Sequence, residues 1–129
     1  MQIKSGIDII EVERIKDSID ETGETFLNKV YTENEIQYCE SKKKNKYQSY
    51  AARFAVKEAT FKAISTLIKD KYSISWKNIE TTNDLTGKPN IKFISLTKDV
   101  EKELAKIESI DVSISHLEKY AVATVNILF

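Results

Sequence analysis

Cysteine occurs once, at Cys39, and histidine once, at His116. A single cysteine excludes a disulfide framework and a cysteine-based zinc site. A single histidine excludes an imidazole cluster, so any metal held by this chain is expected on oxygen ligands. Proline occurs once (Pro89) and glycine three times (Gly6, Gly23, Gly87), so each marks a particular break in the pattern. Neither sign of charge is in excess, with 20 Lys plus Arg against 20 Asp plus Glu. That balance lacks the basic surplus of a generic nucleic-acid binder, and no nucleic-acid partner is expected. No stretch approaches the ~20 apolar residues of a membrane span. The opening MQIKSGIDIIEVER has no apolar block of signal-peptide length and brings carboxylates in early. The expected setting is cytoplasmic, without a membrane partner.

What is present suffices for one core. The 129 residues are 41% apolar, with six Tyr, five Phe and one Trp, which excludes a disordered or low-complexity chain. One domain over residues 1–129 is expected. The lysines of SKKKNK (42–44 and 46) form the one charge run and read as a solvated loop or frayed helix end. Cys39 reads as a small buried residue of its helix.

Periodicity divides the chain into short elements. Residues 2–10 read as a strand with Ile3, Ser5, Ile7 and Ile9 on one face. Residues 11–20 read as a helix striped by Val12, Ile15 and Ile19, ended by Gly23, and Phe26, Leu27 and Val30 suggest another helical piece. Thr32 with Glu35 fits a capping box for a helix over 33–41. The longest helical pattern covers about 46–69, with Ala51, Phe54, Phe61, Ile64 and Ile68 on its apolar side. Residues 79–85 and 90–96 read as strands joined by Thr86-Gly87-Lys88-Pro89. Thr97 caps a helix over 98–107. Residues 110–116 and 120–129 read as a hairpin turned at Leu117-Glu118-Lys119. No βαβ rhythm appears. The expected class is α+β, a mainly antiparallel sheet packed with one long and several short helices.

Four places conflict with plain structural expectation, and such conflicts often mark sites. Asp8 interrupts the isoleucines of the first strand; it either faces solvent from an edge strand or needs a partner inside. In Arg53-Phe54-Ala55-Val56-Lys57-Glu58-Ala59-Thr60-Phe61-Lys62-Ala63, Phe54, Glu58 and Lys62 stack at helical spacing. Glu58 with Lys62 reads as an exposed ion pair worth ~0.3–0.5 kcal/mol, or as a metal-binding carboxylate amid phosphate-binding cations. Gly87-Lys88-Pro89 reads as a hairpin turn, or as a lysine held out to an anion. His116, ending Ser113-Ile114-Ser115-His116, reads as a core histidine or as a site residue.

In order, GIDIIEVERI, RFAVKEATFKA, NDLTGKP and SISH resemble the holo-acyl-carrier-protein synthase family, small single-unit 4′-phosphopantetheinyl transferases, over about residues 3–127. The resemblance implies the fold of that family and a reaction. A serine hydroxyl of apo acyl carrier protein attacks the β-phosphate of coenzyme A, phosphopantetheine moves to the serine, and adenosine 3′,5′-bisphosphate leaves, with Mg²⁺ required. Asp8 and Glu58 match the family's metal-binding carboxylates, and Asp8, Glu58 and Lys62 are expected at the reacting centre. Two carboxylates suffice for Mg²⁺, which keeps waters and takes substrate phosphate oxygens. Glu58, or a metal-bound water positioned by Asp8, is the expected proton acceptor. Arg53, Lys57 and Lys62 match positions near the coenzyme A phosphates, and Phe54 matches an aromatic lining the cofactor site. Gly87, Lys88, Pro89 and His116 match positions near the nucleotide. Family members form homotrimers with the site between subunits, so His116 and the Gly-Lys-Pro turn are expected in a shared site.

Arg14 matches the family position that docks the acidic carrier. Residues 11–21 otherwise oppose that role: Arg14 and Lys16 against Glu11, Glu13, Asp17, Asp20 and Glu21 leave a net of minus three. Docking through the 42–46 lysines is the alternative. Two further readings are the same reaction on a peptide or polyketide synthase carrier, and a non-catalytic coenzyme A-binding module.

Overall fold

The computed structural model describes residues 1–129. Strand β1 (Ile3–Glu11) runs directly into helix α1 (Val12–Thr22), followed by α2 (Glu24–Val30), α3 (Glu33–Glu40) and the long α4 (Lys46–Ile64). Then come β2 (Ile79–Asn83), β3 (Pro89–Phe93), α5 (Lys98–Leu104), β4 (Ser109–His116) and β5 (Tyr120–Leu128). All pairings are antiparallel: a three-stranded sheet in the order β1-β5-β4, and a separate β2-β3 hairpin. The expected α+β class with a mainly antiparallel arrangement is what the chain adopts. No helix is long and apolar enough to cross a membrane.

Helix α4 lies across one face of the three-stranded sheet and is buried nearly all round. Ala55, Ala59 and Ala63 pack with Ala123, Val125 and Ile127 of β5 in one core. A second core gathers Val12, Ile15, Val30, Tyr31, Cys39 and Tyr50 around its first half. Cys39 is buried as expected, and burial pushes its thiol up to about 12. The capping box forms: the Glu35 amide donates to Thr32 Oγ1 (3.2 Å) and the Thr32 amide to Glu35 Oε1 (3.0 Å).

The ends of several elements are corrected. Helix α4 ends at Ile64, not near residue 69. Ser65 Oγ turns back to the Lys62 carbonyl (3.0 Å), and the Lys69 amide is taken by Glu103 Oε2 (2.7 Å) instead of a helical carbonyl. Ile68 is still buried, but from outside the helix. Helix α5 stops at Leu104 and β3 at Phe93. The shared face of Ile3, Ser5, Ile7 and Ile9 exists, but it points outward: these isoleucines are 69%, 59% and 64% exposed.

The inward face of β1 carries Gly6, Asp8 and Ile10 instead. Gly6 is where α4 comes closest. A Cβ added there falls 1.8 Å from the Ala59 carbonyl oxygen and 2.9 Å from the Ala63 nitrogen. Backbone on backbone leaves nothing flexible to yield. Gly6→Ala is therefore expected to lower stability by about 3 kcal/mol or more, read as a fall in the urea midpoint.

Candidate active site

The close crossing at Gly6 places the next inward residue of β1, Asp8, at the edge of α4. Glu58 and Lys62 stand one turn apart on that edge. Lys62 Nζ donates to the Ile7 carbonyl (2.7 Å) and pairs with Asp8 Oδ1 (3.2 Å). Asp8 thus has its partner and is not a solvent-facing strand residue; its side chain is 17% exposed against 56% for Lys62. The expected Glu58–Lys62 ion pair is replaced by this Asp8–Lys62 pair. Glu58 Oε1 accepts instead from the Trp76 indole Nε1–H, at 3.4 Å. Burial raises the Glu58 carboxyl above the usual range, and the negative Asp8 adds to that rise, while the Trp76 bond and Lys62 work against it.

Aromatic rings wall this cluster. Phe54 sits one turn before Glu58 and lies 6.0 Å from the Trp76 ring. Trp76 continues into a cleft of about 810 Å³ between the end of α4 and residues 68–76, lined by Phe61, Ile64, Ile68, Tyr72 and Ile74. Trp76 was not among the sequence candidates. It opens a single 3-10 turn, Trp76–Asn78, too short for spacing to carry a signal; its one flag is being the only tryptophan.

Lys57 is corrected outright. At ~100° per residue it points away from Glu58, into the protein. Its side chain is 0% exposed and pairs with Glu35 Oε1 at 2.8 Å. Its remaining donors go to the carbonyls of Trp76 (2.8 Å) and Ile79. Burial lowers its pKa, opposed by Glu35. All three ammonium donors are used, so none is left for a phosphate.

Arg53 also faces away. Its guanidinium is stacked 3.8 Å over Tyr38, and Nη2 donates to Asn83 Oδ1 at 2.8 Å. With 4% exposure it offers no open two-pronged grip on a phosphate. Gly87-Lys88-Pro89 forms the expected turn, with Gly87 at φ +87°. Lys88 Nζ reaches back to Asp111 Oδ1 (3.1 Å) on β4. His116 is exposed, not a core histidine; its Nδ1 meets Gln48 Oε1 at 2.9 Å in the first turn of α4. Gln48 and Lys62 are 14 residues apart on α4, about 21 Å along the axis. Within one chain, then, Asp8, Glu58, Lys62 and Phe54 come together, and the Gly-Lys-Pro turn and His116 do not join them. Arg14 is exposed on α1.

The donor set at Asp8 and Glu58 is two carboxylates, with no third carboxylate, thiol or imidazole. That fits Mg²⁺ shared with substrate oxygens and water, and suits neither zinc nor copper.

A family model of the 4′-phosphopantetheinyl transferase superfamily matches residues 4–125. The chain is 48% identical over 123 residues to the holo-[acyl-carrier-protein] synthase of Ruminiclostridium cellulolyticum, covering 95% of this chain and 90% of that protein. The counterpart from Halothermothrix orenii is 46% identical, covering 93% and 92%. Among solved structures, the Helicobacter pylori synthase in complex with coenzyme A matches with a TM-score of 0.79 at 29% identity, covering 96% of this chain and 99% of that one. The Bacillus anthracis synthase in complex with CoA (3′,5′-ADP) gives 0.75 at 34% identity, covering 96% and 94%.

The two motif lysines are expected to behave in opposite ways. Lys57→Met strands Glu35 as an uncompensated buried charge and should cost about 3–5 kcal/mol. Lys62→Met breaks a half-exposed pair and should change stability by less than about 1 kcal/mol. Urea unfolding of both variants measures the contrast.

Proposed function

The chain belongs to the 4′-phosphopantetheinyl transferase superfamily, and from that premise we propose that it is a holo-acyl-carrier-protein synthase, moving phosphopantetheine from coenzyme A to apo acyl carrier protein. The observation that carries this reading is the convergence of Asp8, Glu58 and Lys62 beside an aromatic-walled cleft. In the reaction the serine oxygen bonds to the β-phosphorus, the pyrophosphate P–O bond breaks, and adenosine 3′,5′-bisphosphate departs. Asp8 and Glu58 are the residues to hold Mg²⁺, which when bound offsets the charge of the pyrophosphate. The Glu58 carboxylate is the group that accepts the serine proton. The ammonium of Lys62, more than half exposed, turns to the phosphate as a point charge. Phe54 and Trp76 shield the reacting centre from water.

The remaining residues point to a site shared between copies. About 21 Å of helix separates His116 from Lys62, so a neighbouring subunit is the natural source of His116 and the Gly-Lys-Pro turn for the nucleotide end. The open sheet face supports a homotrimer. Ile3, Ile7 and Ile9 lie uncovered there, beside Tyr120, which is 47% exposed, and the half-buried Val122 and Leu128 of β5. Arg14 docks the carrier. Lys46 of the lysine run meets α1 at the Tyr47 ring, over which Lys16 and Lys46 both rest, at 5.8 and 5.3 Å. The implied setting is a single-domain cytoplasmic enzyme serving fatty acid synthesis.

Intact-mass spectrometry of an apo carrier incubated with the protein, coenzyme A and Mg²⁺ should show the gain of one phosphopantetheine group. EDTA should abolish the gain, and Glu58→Gln should slow it by about 100-fold or more with the urea midpoint preserved. Normal turnover of Glu58→Gln would remove Glu58 from the chemistry. For the assembly, light scattering behind size exclusion should report three copies. Ile9→Glu on the open face should yield folded, inactive monomers; an active monomer would refute the shared site.

A further inference from the structure

Two members of the 53–63 motif, Arg53 and Lys57, turn away from the reacting centre, but only Lys57 is fully satisfied. Arg53 is buried and stacked on Tyr38, its Nε has no partner, and its one side-chain hydrogen bond goes to Asn83 Oδ1 at 2.8 Å. Asn83 in turn donates from Nδ2 to the Gly87 carbonyl at 3.0 Å. These partners fix the amide orientation. Reversed, donor would face donor and acceptor would face acceptor.

The bridge stands where the hairpin meets its turn. In the β2-β3 register Asn83 lies opposite Pro89, the last strand pair before the turn. Past it the backbone closes on itself, the Asp84 amide donating to the Lys88 carbonyl and the Gly87 amide to the Asp84 carbonyl, both at 2.9 Å. Asp84 Oδ1 accepts from Thr86 N (2.8 Å), Thr86 Oγ1 (2.6 Å) and Lys88 N (3.0 Å). Those bonds shape the turn internally without attaching it to the body of the protein. Two side chains make the attachment: Lys88, exposed, reaching Asp111 Oδ1 of β4 at 3.1 Å, and Asn83, through an arginine that is itself buried and stacked.

We propose that Asn83 is a positioning residue for coenzyme A: it anchors the Gly-Lys-Pro turn to Arg53 and so holds Lys88 and its neighbouring backbone ready for the nucleotide. The inference rests on the reading that this turn meets the nucleotide end of coenzyme A. It gives Arg53 a role through the turn in place of a direct grip on phosphate.

The test uses the full-length protein, with coenzyme A binding followed by calorimetry. Asn83→Ala removes both bonds and should weaken coenzyme A binding by about tenfold. Asn83→Asp keeps the acceptor for Arg53 and loses the donor to Gly87, so its loss should be intermediate. In steady state the KM for coenzyme A should rise while kcat and the KM for the carrier stay within about twofold. Hydrogen exchange of residues 84–89 should speed up in Asn83→Ala without any ligand. Wild-type coenzyme A affinity in Asn83→Ala overturns the inference and leaves the proposed function standing. Parallel losses toward coenzyme A and carrier, with a lowered melting temperature, also overturn it. Failure of the wild type itself to bind coenzyme A overturns both proposals.

Discussion

The rest of the structure depends on the buried ion pair between Lys57 and Glu35. Two charges out of water are costly, and they persist because every donor and acceptor is engaged. Glu35 also caps its own helix at Thr32 and accepts the Thr81 amide on Oε2 at 2.9 Å. Lys57 holds the carbonyls of Trp76 and Ile79. One pair thereby fixes α3, α4 and the entry to β2 relative to one another. Its contribution is register more than net stability. Hydrocarbon in its place would fill the volume but would not dictate where residues 76–81 lie. The indole of Trp76 meets Glu58 because its backbone is held one residue behind Glu58 on the same helix.

A second constraint acts from the other side. The missing side chain at Gly6 lets α4 settle onto β1, and strand alternation then delivers Asp8 to Lys62. The same alternation turns Ile3, Ile7 and Ile9 to the outer face. The placement of the carboxylate and the exposure of the apolar stripe are therefore one geometric event. A shift of one residue in the β1 register would bury the isoleucines and expel Asp8.

Much of the fold was legible in the sequence because local signals carried it. The Thr32–Glu35 box, the glycine of the 84–88 turn and the alternation of the last hairpin each specify structure within a few residues. What was illegible is long-range. Helix α4 is enclosed on nearly all sides, so no apolar stripe reveals which of Lys57 and Lys62 points inward. That depends on Glu35, 22 positions away, which the spacing of the motif does not encode. Arg53 was misplaced for the same reason, its partners Tyr38 and Asn83 lying on separate elements. Trp76 escapes the pattern because a single 3-10 turn is too short to show a period. The assignment of Asp8 and Glu58 to one locus came from resemblance to a family, since nothing local relates residue 8 to residue 58.

The enclosure of α4 also limits how this protein can diversify. Glu58 is flanked in sequence by Lys57 and Ala59, both fully buried, so the residues nearest the chemistry belong to the core and resist exchange. Residues 69–73 have no such commitment: they run over the surface between the core residues Ile68 and Ile74 and form part of the cleft wall. Drift in that stretch alters the shape of the cleft while leaving the ion pair and the carboxylates in place. Adaptation to a new donor or carrier is therefore expected to accumulate in this irregular segment, with the helix serving as its fixed frame.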